Sequence, residues 1–388
     1  MVGFWRHRTS HVIAAQAGAD SPYVFYFKIY YADGVDGDED LTGGHTGVNA
    51  GKMYCGSDCK TDFSDLRFTG PDATTQLSYF LDSKTDGVSA LFAVRVTEDV
   101  SAEETTVYVY WGNDSAVSLS DAAATFRRVI SSGVVLALPM NEGAGATCTD
   151  YSGNGNDGAI TGASWVTTGK YGNALSFDGD NDNIAIANWG QHADNVGAFH
   201  FSFKTPVVLA AENGIFSYFE SWNDYLFAYI NNAGAVNLNF VKDGVSTVKG
   251  VATLTANTEF SLAITQNATN LIGYKNGVLD TSVLYGNWFN DQDLTENSDI
   301  EFGLFQTFSD WAGVLNGIFY FSSLTTDEIA DLSAYYPQCS TANLGKLYLR
   351  SFVNPEPAHG AWGTTEILPL YSARRNRERR LKVSRRTR

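Results

Sequence analysis

From Tyr23 to Tyr31 the chain reads Y-V-F-Y-F-K-I-Y-Y, a run of aromatic and β-branched residues closed by the acidic, Gly-rich D-G-V-D-G-D-E-D at Asp33 to Asp40. A run this short, dense and turn-bounded fits a largely buried strand and is too brief for a core helix. The same grammar recurs at Leu66–Thr69, Gln76–Asp82, Ala90–Val96 and Thr106–Trp111, with T-G-P-D and S-K-T-D-G as the turn clusters between them. In the last of these Val107, Val109 and Trp111 fall on one face, Tyr108 and Tyr110 on the other. No helix-period segment interrupts the series, so the region predicts a small antiparallel sandwich ending near Ser120. With 20 Tyr, 24 Phe and only 8 Pro in 388 residues, the whole chain leans the same way.

A second β series begins at Val134, after A-A-A-T-F-R-R-V-I, which reads as a short helix or linker. Its clearest local signal is Asn276-Gly277 between apolar runs, a pair that tolerates the positive φ angles of a type I′ hairpin. Leu324–Tyr336 predicts the one clear helix: Thr325 or Thr326 as N-cap, acids in the first turn, Leu324, Ile329, Leu332 and Tyr336 as the apolar stripe, and Pro337 as the stop. The expected fold class is therefore all-β, two tandem antiparallel β-sandwiches. The expected division is 1–132, 133–340, a return segment at 341–373 that adds back onto the first sandwich, and a basic tail at 374–388.

Two stretches resemble known families. C-K-T-D-F-S-D-L-R-F-T (Cys59–Thr69), L-S-Y-F-L-D and T-T-V-Y-V-Y-W-G-N (Thr105–Asn113) resemble a β-sandwich domain of unknown function found in prokaryotic and viral surface-type proteins beside lectin-like modules. L-P-M-N-E-G-A-G, D-Y-S-G-N-G-N-D-G, Y-G-N-A-L-S-F-D-G-D-N-D, Y-K-N-G-V-L and L-N-G-I-F-Y-F resemble, in order and spacing from about 134 to 338, the concanavalin A-like jelly roll of the laminin-G and pentraxin type. The segment Leu349–Gly363 resembles the piece that follows such modules in the first family.

Gly153 to Gly158, G-N-G-N-D-G, satisfies G-x-G-x-x-G letter for letter. A dinucleotide turn needs a buried strand before it and a helix after it. Here A-I-T-G-A-S-W-V follows, and no Lys-Ser/Thr offers a P-loop, so no nucleotide is expected. Two readings remain for the loop: Asp150, Asn154, Asn156 and Asp157 bond nearby amides, or their oxygens help ligate calcium. Asp178, Asp180, Asn181 and Asp182 form a second oxygen-rich loop with the same two readings. D-G-V-D-G-D-E-D read from Asp36 places Leu41 where an EF-hand needs Gly and Gly47 where it needs Glu, which leaves a solvated acidic loop.

Pentraxin-like relatives recognise ligands through calcium on loops at one face, and the resemblance places Ser221–Tyr225 where their Asp-Asn pair stands. The partner loop keeps Gln306 and Asp310 without the usual acidic cluster. What remains is aromatic: Trp222, Tyr225, Trp288, Phe308 and Trp311 beside Asn223, Asp224 and Asp310, a composition suited either to a glycan site or to core packing. For catalysis a glycosidase needs two carboxylates about the scissile bond; E-x-D-x-E and E-x-D-x-x-E are absent, as is G-x-S-x-G near His200 or His359, so no enzyme is expected. Of the four cysteines, Cys55 pairs with Cys59 and Cys148 with Cys339 if the compartment is oxidising.

The last fifteen residues carry nine basic side chains and one acid, leaving 17 basic against 42 acidic residues in the rest. An acidic body excludes nucleic acid as a general partner, while the tail suits a protein assembly partner or another acidic surface. No run is long and apolar enough to cross a bilayer, and the N-terminus shows no leader of signal-peptide length. The leading expectation is a non-enzymatic module displayed outside the cell, on a cell surface or a virion, and binding a glycan or surface polymer. The alternatives are a structural subunit of a capsid, appendage or filament, and thirdly a glycoside hydrolase-like enzyme.

Overall fold

A computed structural model describes residues 5–19, 21–189, 195–209, 212–285, 299–303 and 310–368. The chain divides into two units. The first comprises Met1–Glu39, Asn49–Thr125 and Glu356–Arg388, the second Asp40–Val48 and Phe126–Pro355. Both are built of β-sheets, two tandem β-sandwiches.

The opening run forms the strand Tyr23–Tyr30 at the centre of a five-stranded sheet in the first unit. Its residues pair without a break with Ser89–Val96, from Tyr23 opposite Val96 to Tyr30 opposite Ser89. On its other side it pairs with Asn49–Tyr54 in parallel, so this sheet departs from the all-antiparallel expectation. The intervening Gly37–Asp40 and the short 3₁₀ turn Gly43–His45 give the chain the length a parallel return needs. The second sheet places His7–Ile13 against Thr105–Trp111, where Val107, Val109 and Trp111 point inward as their alternation predicts. Phe27, Phe68, Tyr79 and Phe92 pack ring against ring at the core of this unit.

The segment after residue 355 returns here. His359–Trp362 pairs with His7–Ile13, and Glu366–Ile367 pairs with His7 and Arg8. Residues 341–355 stay with the second unit, whose strand Leu347–Arg350 lies between Tyr336–Gln338 and Arg128–Ile130. The boundary near residue 125 thus falls before Arg128–Ile130 because that strand is bonded into the second unit.

The second unit has two eight-stranded sheets. One is centred on Val196–Lys204, flanked by Glu259–Asn267 in nine-residue register and by Val314–Phe321. The other runs from Thr147–Cys148 through Asn183–Ile186, Ile300–Phe302, Glu212–Ser221, Asp224–Asn231 and Ala235–Lys242 to Val245–Thr253. Phe199, Phe201, Phe203, Phe216, Phe302 and Tyr320 join the aliphatic residues of both sheets in one core. Asn276 and Gly277 take positive φ, closing the hairpin in which Lys275 faces Val278. The helix Thr326–Ala334 is capped by Thr325, whose hydroxyl accepts from the Glu328 amide while Glu328 returns the bond in a capping box. It buries Ile329 and Leu332, and Asp331 receives ion pairs from Arg127 and Arg128.

Candidate functional site

The G-N-G-N-D-G loop lies between the strands Thr147–Cys148 and Gly158–Thr161, so a strand follows it and the dinucleotide arrangement is absent. Asp150 organises the loop. Its Oδ1 accepts from the amides of Ala137 and Ser152, and its Oδ2 from the Ser152 hydroxyl and the Asn156 amide. Asp157 Oδ1 accepts from the Asp150 amide at 2.7 Å. A carboxylate whose two oxygens already hold four donors, in a buried position, has little left to give a cation, so Asp150 itself is engaged within the loop. Gly158 has a different reason from its neighbours: a Cβ there would stand 2.4 Å from Ile184 Cγ2.

The second oxygen-rich loop is turned in on itself in the same way. Asp182 Oδ2 accepts from the Asp178 amide, Asp178 Oδ1 from the Asp180 amide, and Asp310 Oδ2 from the Asn181 amide. Burial, then the neighbouring Asp178 and Asp180, push the Asp182 carboxyl above its ordinary value, against the Asp178 amide that favours the anion. Among the described residues no three His, Cys, Asp or Glu side chains converge as a metal site would need.

The aromatic candidates separate sharply. Trp311 is 1% exposed and packs edge-on against Phe203 in the core, so its ring is closed to any ligand. That corrects its assignment to a glycan site: Trp311 belongs to the same core cluster as Leu315 and Ile318. Trp288, Gln306 and Phe308, like the basic tail 374–388, lie outside the described residues. Trp222, in contrast, is 56% exposed, the one exposed tryptophan among the described residues.

Trp222 sits on the tight turn between Glu212–Ser221 and Asp224–Asn231. Phe219, opposite Tyr225 in the register, supports it from below with ring centres 5.1 Å apart in an edge contact. Tyr225 stacks in turn on Phe227 at 4.3 Å, so the exposed ring ends a packed aromatic row on the outward face of the sheet. Phe219 and Phe227 were not among the sequence candidates. Their signal was the alternation in F-S-Y-F-E-S-W and D-Y-L-F-A-Y, readable only once the hairpin register is known.

Polar groups tie the turn that bears the ring to its neighbour. Asp224 accepts from Ser221 Oγ at 3.2 Å and from the Asp243 amide at 3.1 Å, while the Gly244 amide donates to the Asn223 carbonyl. Two turns, 221–224 and 242–245, are thereby tied side by side, with Trp222, Asn223 and Asp243 exposed on them. Such an arrangement offers an apolar plate for the C–H face of a sugar and fixed acceptors for its hydroxyls.

Elsewhere in the second unit Glu301 lies opposite Ser217 and is raised above its ordinary value by burial first, then by Asp299. Asn183 Nδ2 approaches Glu301 at 3.4 Å, and Asp299 Oδ1 accepts from the Asn188 amide. His200 donates to or accepts from Ser261 Oγ at 2.7 Å, and Ser261 bonds Ser333 of the helix; all three sit in a packed layer between helix and sheet. Cys55 and Cys59 are joined in a disulfide. Cys148 and Cys339 are separate buried thiols rather than a pair, Cys148 in the main core and Cys339 in the smaller cluster with Leu347 and Leu349.

A family model for a domain of unknown function (DUF2341) matches residues 62–129, within the first unit apart from its last few residues. No curated protein matches the chain. Among solved structures, the chain is similar to domain 4 of AbnA, a GH43 extracellular arabinanase from Geobacillus stearothermophilus, in complex with arabinotriose. That match has 16% identity over 53% of this chain and 100% of that one, with a TM-score of 0.43. The botulinum neurotoxin serotype D binding domain matches at 18% identity, TM-score 0.41, over 55% of this chain and 56% of that chain. The CBM40 of Ruminococcus gnavus IT-sialidase bound to α2,3-sialyllactose matches at 18% identity, TM-score 0.31, over 37% and 84%. Likeness of this degree carries no ligand over to the present chain.

Proposed function

We propose that the protein is a non-enzymatic binding module whose second unit, a jelly roll of the concanavalin A type, recognises a glycan or surface polymer at the Trp222 turn. The supporting observation is a tryptophan left 56% exposed on a turn that is otherwise braced by stacked rings and hydrogen bonds. Exposing an indole forfeits about 2 kcal/mol or more of burial, and a rigid platform is the arrangement in which that surface is recovered on binding. Asn223, Asp224 and Tyr225 supply the polar contacts around it. The Cys55–Cys59 disulfide fits display outside the cytosol, on a cell surface or virion. The platform needs no calcium for stacking, and Asp150, with four donors on its two oxygens, is engaged within its own loop. A glycan array probed in calcium and again in chelator tests the reading: binding in both conditions supports it, and silence toward every glycan in both rejects it.

A structural role is the second reading. Val245–Thr253 and Val278–Leu284 are the last strands of their sheets and leave Val245, Val248, Val278, Leu279 and Leu284 exposed, an apolar surface suited to self-association. Light scattering of the purified protein separates the two, because assembly in the absence of glycan belongs to the structural reading alone.

A further inference from the structure

We infer that the Trp222 turn takes uncharged sugars and discriminates against acidic ones, an inference that rests on the glycan reading above and narrows it. The two tied turns carry carboxylates. Asp224 closes the turn that bears Trp222, and Asp243 is carried beside it by the bond from its own amide to Asp224 Oδ1. Lys242 is the one cation in the two turns, against two acids, Asp224 and Asp243. The position of Asp243 is fixed rather than incidental: it and Gly244 take φ of +49° and +76°, the tight hairpin that lets the Gly244 amide reach the Asn223 carbonyl.

The chemistry of these groups is one-sided. A carboxylate accepts and never donates, so Asp224 and Asp243 serve sugar hydroxyls and, at the edge of the site, amino-sugar ammonium groups. A uronate or sialic acid stacked on Trp222 would bring its own carboxylate to two turns that already carry theirs, with no arginine in either to receive it. Exclusion by like charge is a recognised source of specificity, and the chain's net charge of −17 works in the same direction at longer range.

The test uses the full chain and two immobilised probes, a neutral lactose-terminated glycan and the same glycan capped by sialic acid, at low and at high salt. Each is read with wild type, Trp222→Ala and the double variant Asp224→Asn, Asp243→Asn, whose amide oxygens keep the acceptors of the turn. The expected result is that the neutral probe binds at least about tenfold more tightly at low salt, that high salt narrows the gap by screening, and that the double variant narrows it further. Equal or tighter binding of the sialylated probe to the wild type overturns the inference and leaves the glycan reading standing. Undiminished binding by Trp222→Ala, or no binding to a full array, rejects the reading and the inference with it.

Discussion

The first unit carries a buried acid-labile pair. His11 Nε2 and His359 Nδ1 stand 2.8 Å apart, each almost wholly shielded, within a cage of Phe25, Phe27 and Trp362. Each pins the return strand to the N-terminal one, since Ile13 faces His359 and His11 faces Trp362 across the ladder. The bond requires one ring to donate and the other to accept, which only a neutral acceptor can do. Burial drives His11 down to about 3 and His359 to about 4, His359 adding to the fall of its neighbour. Both values lie below the ordinary 6.5, so the unfolded chain binds protons first as pH falls and stability drops with it. The contribution is intact above pH 6.5 and is lost progressively down to about pH 3 to 4. At pH 5 each imidazole costs about 2 kcal/mol, together about 4 kcal/mol, which corresponds to roughly a 10 °C fall in the melting temperature of a unit this size. Scanning calorimetry between pH 7 and 5, which resolves the two units if they melt separately, measures it. His11→Phe combined with His359→Leu should flatten the pH slope of the first transition even where it lowers stability at pH 7. A first transition that does not move between pH 7 and 5, or His11 and His359 NMR signals titrating near 6.5 in the folded protein, would refute the argument.

Other outcomes follow from the same reasoning. Asp150→Ala, which strips four donors of their acceptor in a buried loop, should cost about 3 kcal/mol in denaturant unfolding, while chelator should leave the wild-type melting temperature within about 1 °C; a chelator shift of several degrees would restore the calcium reading. Thr325→Ala removes the hydroxyl half of the capping box and should cost about 1 kcal/mol in the same assay. Peptide mapping after alkylation of the unfolded, unreduced protein should label Cys148 and Cys339 and leave Cys55 and Cys59 linked.

Strand positions and faces were legible because their causes are local. Alternation gave Val107, Val109 and Trp111 their inward face, Asn276-Gly277 the hairpin, and Thr325 with Glu328 the start of the helix. What was not legible depends on which strands meet. The parallel pairing of Tyr23–Tyr30 with Asn49–Tyr54 leaves no mark in either run, because a buried strand reads alike in both directions. The packing of His11 on His359 spans the length of the chain and follows from a strand order that no local pattern encodes. Within the candidate site, residue type placed an aromatic and Asx-rich cluster at 222–225 but could not divide Trp222 from Trp311. Both indoles suit a glycan on composition; register and burial set one on the surface and the other in the core.

The central claim is that Trp222 is the ligand platform. Isothermal titration of the best glycan found on an array, comparing the wild type with Trp222→Ala, tests it most directly. An exposed side chain contributes little to folding, so circular dichroism and melting temperature should be unchanged in the variant while affinity falls by roughly tenfold to a hundredfold, the loss of one stacked ring. Equal affinity in a variant of equal stability would place the binding site elsewhere and contradict the account.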